Sequence, residues 1–255
     1  MIGTVILQCP QQERTWSLIT FGLDAAMMQV PMMLRQMEPR RGGFPDAAEV
    51  LWLQQLPQLA DSLICIGFDA AMPDVAANAL AAATALSVPG NLVLMVSFGD
   101  ASTSLTAPMG ILPIIRIGNV LDTATQAVVL TATLLTMAGQ SWIGIDARDV
   151  VGQLSGRQQA VAAHWRGAPG PGVAAAGAAA ALSLCHFMAG YETPTSCIMI
   201  VIAPEAWGLA DWVAFAECAL PGAQPRVLVA LSTAAVTAEP ALLTIFGYGS
   251  PAGPA

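Results

Sequence analysis

The chain alternates short apolar runs with stretches of helical pattern. "GTVILQ" (3–8), "VPMMLR" (30–35), "SLICIGF" (62–68), "NLVLMVSF" (91–98) and "ILPIIRIG" (111–118) have strand length and carry few polar residues. Between them the pattern predicts helices around 12–27, over 46–59 with Asp46 as N-cap and Pro57 near the end, and over 73–86, opening with Pro73 and Asp74. "EPRRGGFP" (38–45) reads as a loop. Continuous apolar strands alternating with helices predict a parallel sheet covered on both faces.

The pattern changes at residue 119. "NVLDTATQAVVLTATLLTMAG" (119–139) reads as one long helix, apolar on most sides and therefore buried. After it come the strand-like "QAVAAHW" (159–165), a Gly/Pro turn "RGAPGPG" (166–172) and an alanine-rich helix over 173–189. Strand 197–203, helix 206–219 and strands 226–232 and 241–249 follow. Two closing strands joined by a short link predict a mixed sheet. The expected organisation is an α/β domain over 1–118, a central helix over 119–139 and a smaller α+β domain over 140–255. There is no internal repeat.

Composition narrows the partners. The net charge is −8, and all nine basic residues are arginine. A sparse acidic surface argues against nucleic acid and against an anionic membrane surface. Mean hydropathy is +0.63, much of it from alanine, and no stretch predicts a membrane span. The first residues show no basic region or cleavage site of a signal peptide. Five scattered cysteines, without metal-ligand spacing, predict buried free thiols in a reducing cytoplasm, with no metal or cofactor.

Four stretches in order carry a resemblance. They are "LADSLICIGFDAAMPDVAANALAAATALSVPGNLVLMVSF" (59–98), "WIGIDARDVVGQL" (142–154), "WRGAPGPGVAAAGAAAAL" (165–182) and "PRVLVALSTAAVTAEPALLTIFGYG" (225–249). Together they resemble the FtsZ/tubulin superfamily over nearly the whole chain. The resemblance implies a parallel-sheet N-terminal domain, a long central helix and a smaller C-terminal domain with a mixed sheet. It also implies a bacterial cytoskeletal protein that assembles with itself. Residues 142–154 are similar to the FtsZ synergy loop, N-x-D-x-x-D, whose acidic residues enter the neighbouring subunit's nucleotide site and position the attacking water. Asp146 and Asp149 match both acidic positions, Arg148 lies between them, and Gly144 stands where the asparagine is expected. The favoured reading of the same two aspartates is a helix cap, with Asp146 near the N-cap and Asp149 in the first turn.

The glycine-rich phosphate loops of that family are missing. The turn after the first strand reads "QCPQQER" (8–14), with Gln8, Cys9 and Pro10 where close backbone approach needs glycine. The second loop, "GFDAAMPDVAAN" (67–78), keeps Gly67 and adds Asp69 and Asp74. Two carboxylates there would repel a triphosphate by several kcal/mol at low dielectric. The expected function is a non-catalytic structural subunit that self-assembles without GTP hydrolysis. Alternatives are a regulator that binds an active FtsZ-type polymer through 142–154, and a divergent GTPase.

The remaining candidates have plain structural readings. His164, beside Trp165 and Arg166, reads as a strand-end histidine. His186 beside Cys185 lacks a third ligand. Arg40 and Arg41 read as a solvated loop, and the serines of 98–103 have no triad partners. The methionines of 25–37 read as core filling or as an adaptable surface.

Overall fold

A β-hairpin opens the chain. β1 (Ile2–Gln8) pairs antiparallel with β2 (Thr15–Phe21), from Gly3 opposite Thr20 to Gln8 opposite Thr15. The computed structural model describes residues 2–8, 15–36, 49–99, 105–108, 111–117, 121–137, 145–167, 172–189, 191, 193–204, 206–219, 227–234 and 241–249. Loop 38–45, Asp46, Met37, Cys9, Pro10 and Gly144 lie outside them.

Ten strands form one sheet in the order β3-β1-β2-β4-β5-β6-β7-β10-β8-β9. β2, β4 (Ser62–Asp69), β5 (Leu92–Phe98), β6 (Ile115–Ile117) and β7 (Gln159–Arg166) run parallel. β10 (Ala241–Tyr248) is antiparallel to both β7 and β8 (Ser196–Pro204), and β9 (Val227–Ala234) closes the edge parallel to β8. The parallel run of the first half and the mixed second half follow the sequence pattern, but β1 is antiparallel to both its neighbours, β2 and β3, where an all-parallel sheet was expected. β6 bridges them, with Arg116 opposite both Ser97 and Val161.

Side-chain alternation splits the core between the two faces. On one face Leu18, Cys65, Val96, Ile115, Ala162 and Ile200 pack under α1 (Asp24–Met27), α2 (Val30–Gln36), α4 (Thr123–Met137) and α5 (Ala147–Leu154). The other face carries two separate clusters. Ile64, Phe68 and Met95 pack under α3 (Pro73–Leu86). Val161, Met199 and Phe246 pack under α6 (Val173–Met188) and α7 (Leu209–Ala219). Burying one such large side chain contributes about 1.5–3 kcal/mol. α4 is buried along most of its length, as its all-round apolarity predicts. It approaches β4 closely: a Cβ on Gly67 would lie 2.5 Å from Leu130 Cδ2.

Four expected elements are corrected. Helix 12–27 is replaced by β2 and the short α1, because "TWSLITF" gains ladder partners on both sides, β1 and β4. Strand 30–35 is the helix α2. Its buried positions Val30, Met33 and Leu34 repeat at helical spacing, and Pro31 sits in the first turn, where its missing N–H costs nothing. Over 49–60 there is no helix; β3 (Leu51–Leu53) pairs with β1 and lays Trp52 over Gly3. Strand 111–118 shrinks to β6, since Pro113 cannot donate to the ladder. Of the methionines, Met27 and Met33 are core, whereas Met28 and Met32 are exposed.

Candidate functional site

The carboxyl ends of β2, β4 and β5 converge, as parallel strands in open α/β sheets do at ligand sites. The hairpin changes which turn belongs there. Because β1 runs opposite to β2, Gln8 lies level with Thr15 and Ser62, at the amino end of the parallel strands. The turn beside the β4–α3 loop is therefore Gly22–Leu23–Asp24, not 8–14. Gly67 is also not in the loop. It lies inside β4, opposite Thr20 and Val96, where Leu130 leaves no room for a side chain.

Asp69 sits at the centre of this end. It terminates β4 and is half-buried. Its Cβ lies 3.4 Å from the place a Cβ would take on Gly22, and its Oδ1 3.6 Å from that place on Gly99. Both glycines have left-handed backbones, φ +69° and +78°, which favour glycine. Sequence reasoning missed both. Their signal was a glycine directly after an apolar strand.

The amides at this end have acceptors within the chain. Ala71 N–H donates to Asp69 Oδ1 (2.9 Å), Ala70 N–H to Phe98 O (2.8 Å) and Gly99 N–H to Ile117 O (3.1 Å). α3 begins with Pro73, which has no N–H, and Asp74, exposed in the first turn. Its N-cap, Met72, offers no side-chain cap. Asp24 is likewise exposed at the start of α1. Three carboxylates thus share the strand ends, where the amides of Ala70, Ala71 and Gly99 are already taken.

Asp146 and Asp149 form a reciprocal capping box on α5. Asp146 Oδ1 accepts from Arg148 N–H (2.7 Å) and Asp149 N–H (3.2 Å), while Asp149 Oδ2 accepts from Asp146 N–H (3.0 Å). Asp146, Arg148 and Asp149 are exposed. The last turn of α5 lies at the amino ends of β7 and β8: Gln153 O accepts from Ser196 Oγ (2.9 Å) and Arg157 Nε (3.1 Å). Asp146 and Asp149 stand at the other end of α5 from this contact, at its start.

His164 is partly buried on β7. Burial, then the Arg166 charge, pull its pKa down to about 4, against a weaker upward pull from Asp122. Asp122 caps α4 through Thr125, whose hydroxyl (2.7 Å) and N–H (3.0 Å) donate to it; these bonds hold its carboxyl below the usual range. Burial pushes the Cys65 and Cys197 thiols up to about 12, so they stay protonated. Cys185 and Cys218 are exposed, not buried as expected. His186 is exposed on α6. Among the described residues, no helix is long and apolar enough to cross a membrane.

The fold matches solved structures. It is similar to "FtsZ W319Y mutant, P1" from M. jannaschii, with TM-score 0.56 and 11% identity over 73% of this chain. It is also similar to "FtsZ dimer, empty" from the same organism, with TM-score 0.50 and 12% identity over 73% of this chain. The chain spans 65% and 63% of those two proteins. No protein-family model and no curated protein matches the sequence. The α/β architecture is that of FtsZ/tubulin structures.

Proposed function

We propose that this chain is a cytoskeletal-type subunit of FtsZ/tubulin fold that assembles with itself and does not hydrolyse GTP. One observation carries the reading. At the carboxyl ends of the parallel strands, the amides of Ala70, Ala71 and Gly99 donate within the chain, and Asp24, Asp69 and Asp74 stand around them. A triphosphate needs free backbone donors and tolerates no unscreened carboxylate beside it. Self-association is supported by the dimeric FtsZ with which the fold aligns. A head-to-tail contact is heterologous and propagates without closing. In that contact the exposed Asp146–Asp149 turn docks as a capped, rigid edge.

Sedimentation and negative-stain microscopy of the purified protein test this, with and without GTP and Mg²⁺. Assemblies indifferent to GTP are expected. Saturable GTP binding followed by phosphate release would overturn the reading. A monomer that changes the assembly of an active FtsZ would favour the regulator instead, and loss of that effect in Asp146→Ala would assign it to this turn.

A further inference from the structure

The sheet face under α3, α6 and α7 carries two apolar clusters, and a polar seam runs between them. Arg116 lies in that seam. Its neighbours Ile115 and Ile117 point to the opposite face, so alternation turns Arg116 toward this one, beside Val161 and Ser97. Arg157 reaches the same place from the segment before β7. The two guanidinia line one cleft of about 360 Å³, with Thr106 and Gln159 as neutral polar groups and Ile111 and Pro113 as apolar wall.

The donors are only partly used. Arg116 donates to the carbonyl of Leu105. Arg157 donates through Nε to Gln153 O (3.1 Å) and through Nη1 to Gly249 O (3.1 Å). Each guanidinium has five N–H groups in a planar fork that matches carboxylate or phosphate oxygens. Among the described residues, neither arginine has an ion pair with a carboxylate. The backbone bonds fix both side chains before a ligand arrives, so little rotamer entropy remains to be lost. In a chain of net charge −8, a carboxylate-free pair of arginines in a concave seam is a local inversion of sign.

We propose that Arg116 and Arg157 form a binding site for a small organic anion, its carboxylate or phosphate on the two guanidinia and its carbon frame against Ile111 and Pro113. Its lining includes none of Gly22, Asp69 and Gly99, and Arg116 stands two strands from β4.

Titration calorimetry at constant ionic strength tests this with four probes: phenylphosphate, inorganic phosphate, benzoate and acetate. Saturable binding of phenylphosphate or benzoate is expected, at least tenfold tighter than the matching probe without a ring. Which of the two wins distinguishes phosphate from carboxylate ligands. Arg116→Gln should weaken binding tenfold or more. Arg157 also ties α5 to β10, so its own variant is not needed. Gln159→Glu instead adds a carboxylate at an exposed position and should abolish binding while the protein stays folded by circular dichroism. No saturable binding of any probe, or binding unchanged in both variants, would overturn the proposal.

Discussion

Two acidic helix starts in this protein look alike in sequence and differ in structure. α3 follows β4 with Asp69 and Asp74; α5 precedes β7 with Asp146 and Asp149. At α5 the two carboxylates close on each other's amides and finish the helix locally. At α3 Asp69 turns back on Ala71, Asp74 stays in solvent, and the N-cap is Met72. The same residue type is a self-sufficient cap in one place and part of a crowded, donor-poor strand end in the other. The spacing differs too: Asp146 and Asp149 are three apart, as a capping box requires, and Asp69 and Asp74 are five apart. What separates them is the N-cap residue: Asp146 carries a side-chain acceptor and Met72 does not.

The largest break comes at β4, just before α3. Gly67→Val inserts a branched side chain where Leu130 already lies, and Leu130 is fully buried and cannot withdraw. A loss of about 3 kcal/mol is expected in urea unfolding, near the upper range for overpacking. Gly152→Val meets nothing within 4 Å and serves as the control on the α5 side; it should gain only the helix propensity difference between valine and glycine, under about 1 kcal/mol.

A second effect lies on β7, which follows α5. His164 has a folded pKa near 4, below its ordinary 6.5. The unfolded chain therefore binds the proton more readily. His164 costs no stability above about pH 6.5, and stability falls as pH drops from 6.5 toward 4. Arg166 and Asp122 are the charged groups facing it. His164→Gln should remove up to about 3 kcal/mol of that acid sensitivity, read as a flatter unfolding midpoint between pH 7 and 4. Any sensitivity that remains belongs in part to Asp122, whose lowered pKa acts in the same direction as acid protonates it.

The smallest effects sharpen the comparison itself. Asp146→Ala should cost about 1 kcal/mol, because two amides lose their acceptor. Asp74→Ala should cost at most about 0.5 kcal/mol, since only the helix dipole is affected. Equal losses in thermal unfolding would show that the two starts are alike after all.

Much of the fold is legible in the sequence where a pattern has only one solution. β4, α3, β5, α4 and α6 follow from long apolar runs or from Pro73 at a helix start. Residues 12–36 were not legible. "TWSLITF" and "VPMMLR" are short apolar stretches that both periods fit, and the choice came from partners: β1 and β4 for the first, α4 and the sheet for the second. The same hairpin displaced the expected first loop from 8–14 to Gly22–Asp24. The capping box at Asp146 could be read from spacing alone, because a cap needs only its own chain's amides.

The sequence by itself determined the alternation of apolar strands and helices, the buried central helix and the capped turn at Asp146. These are local or periodic properties, set within a few residues of chain. Only the tertiary structure decided which turn faces Asp69, why Gly67 must be glycine, and that Arg116 and Arg157 share one cleft. Those depend on strand direction and on contacts across 41 to 63 positions of sequence, which no local pattern encodes because hydrogen bonding and packing accept any partner that fits.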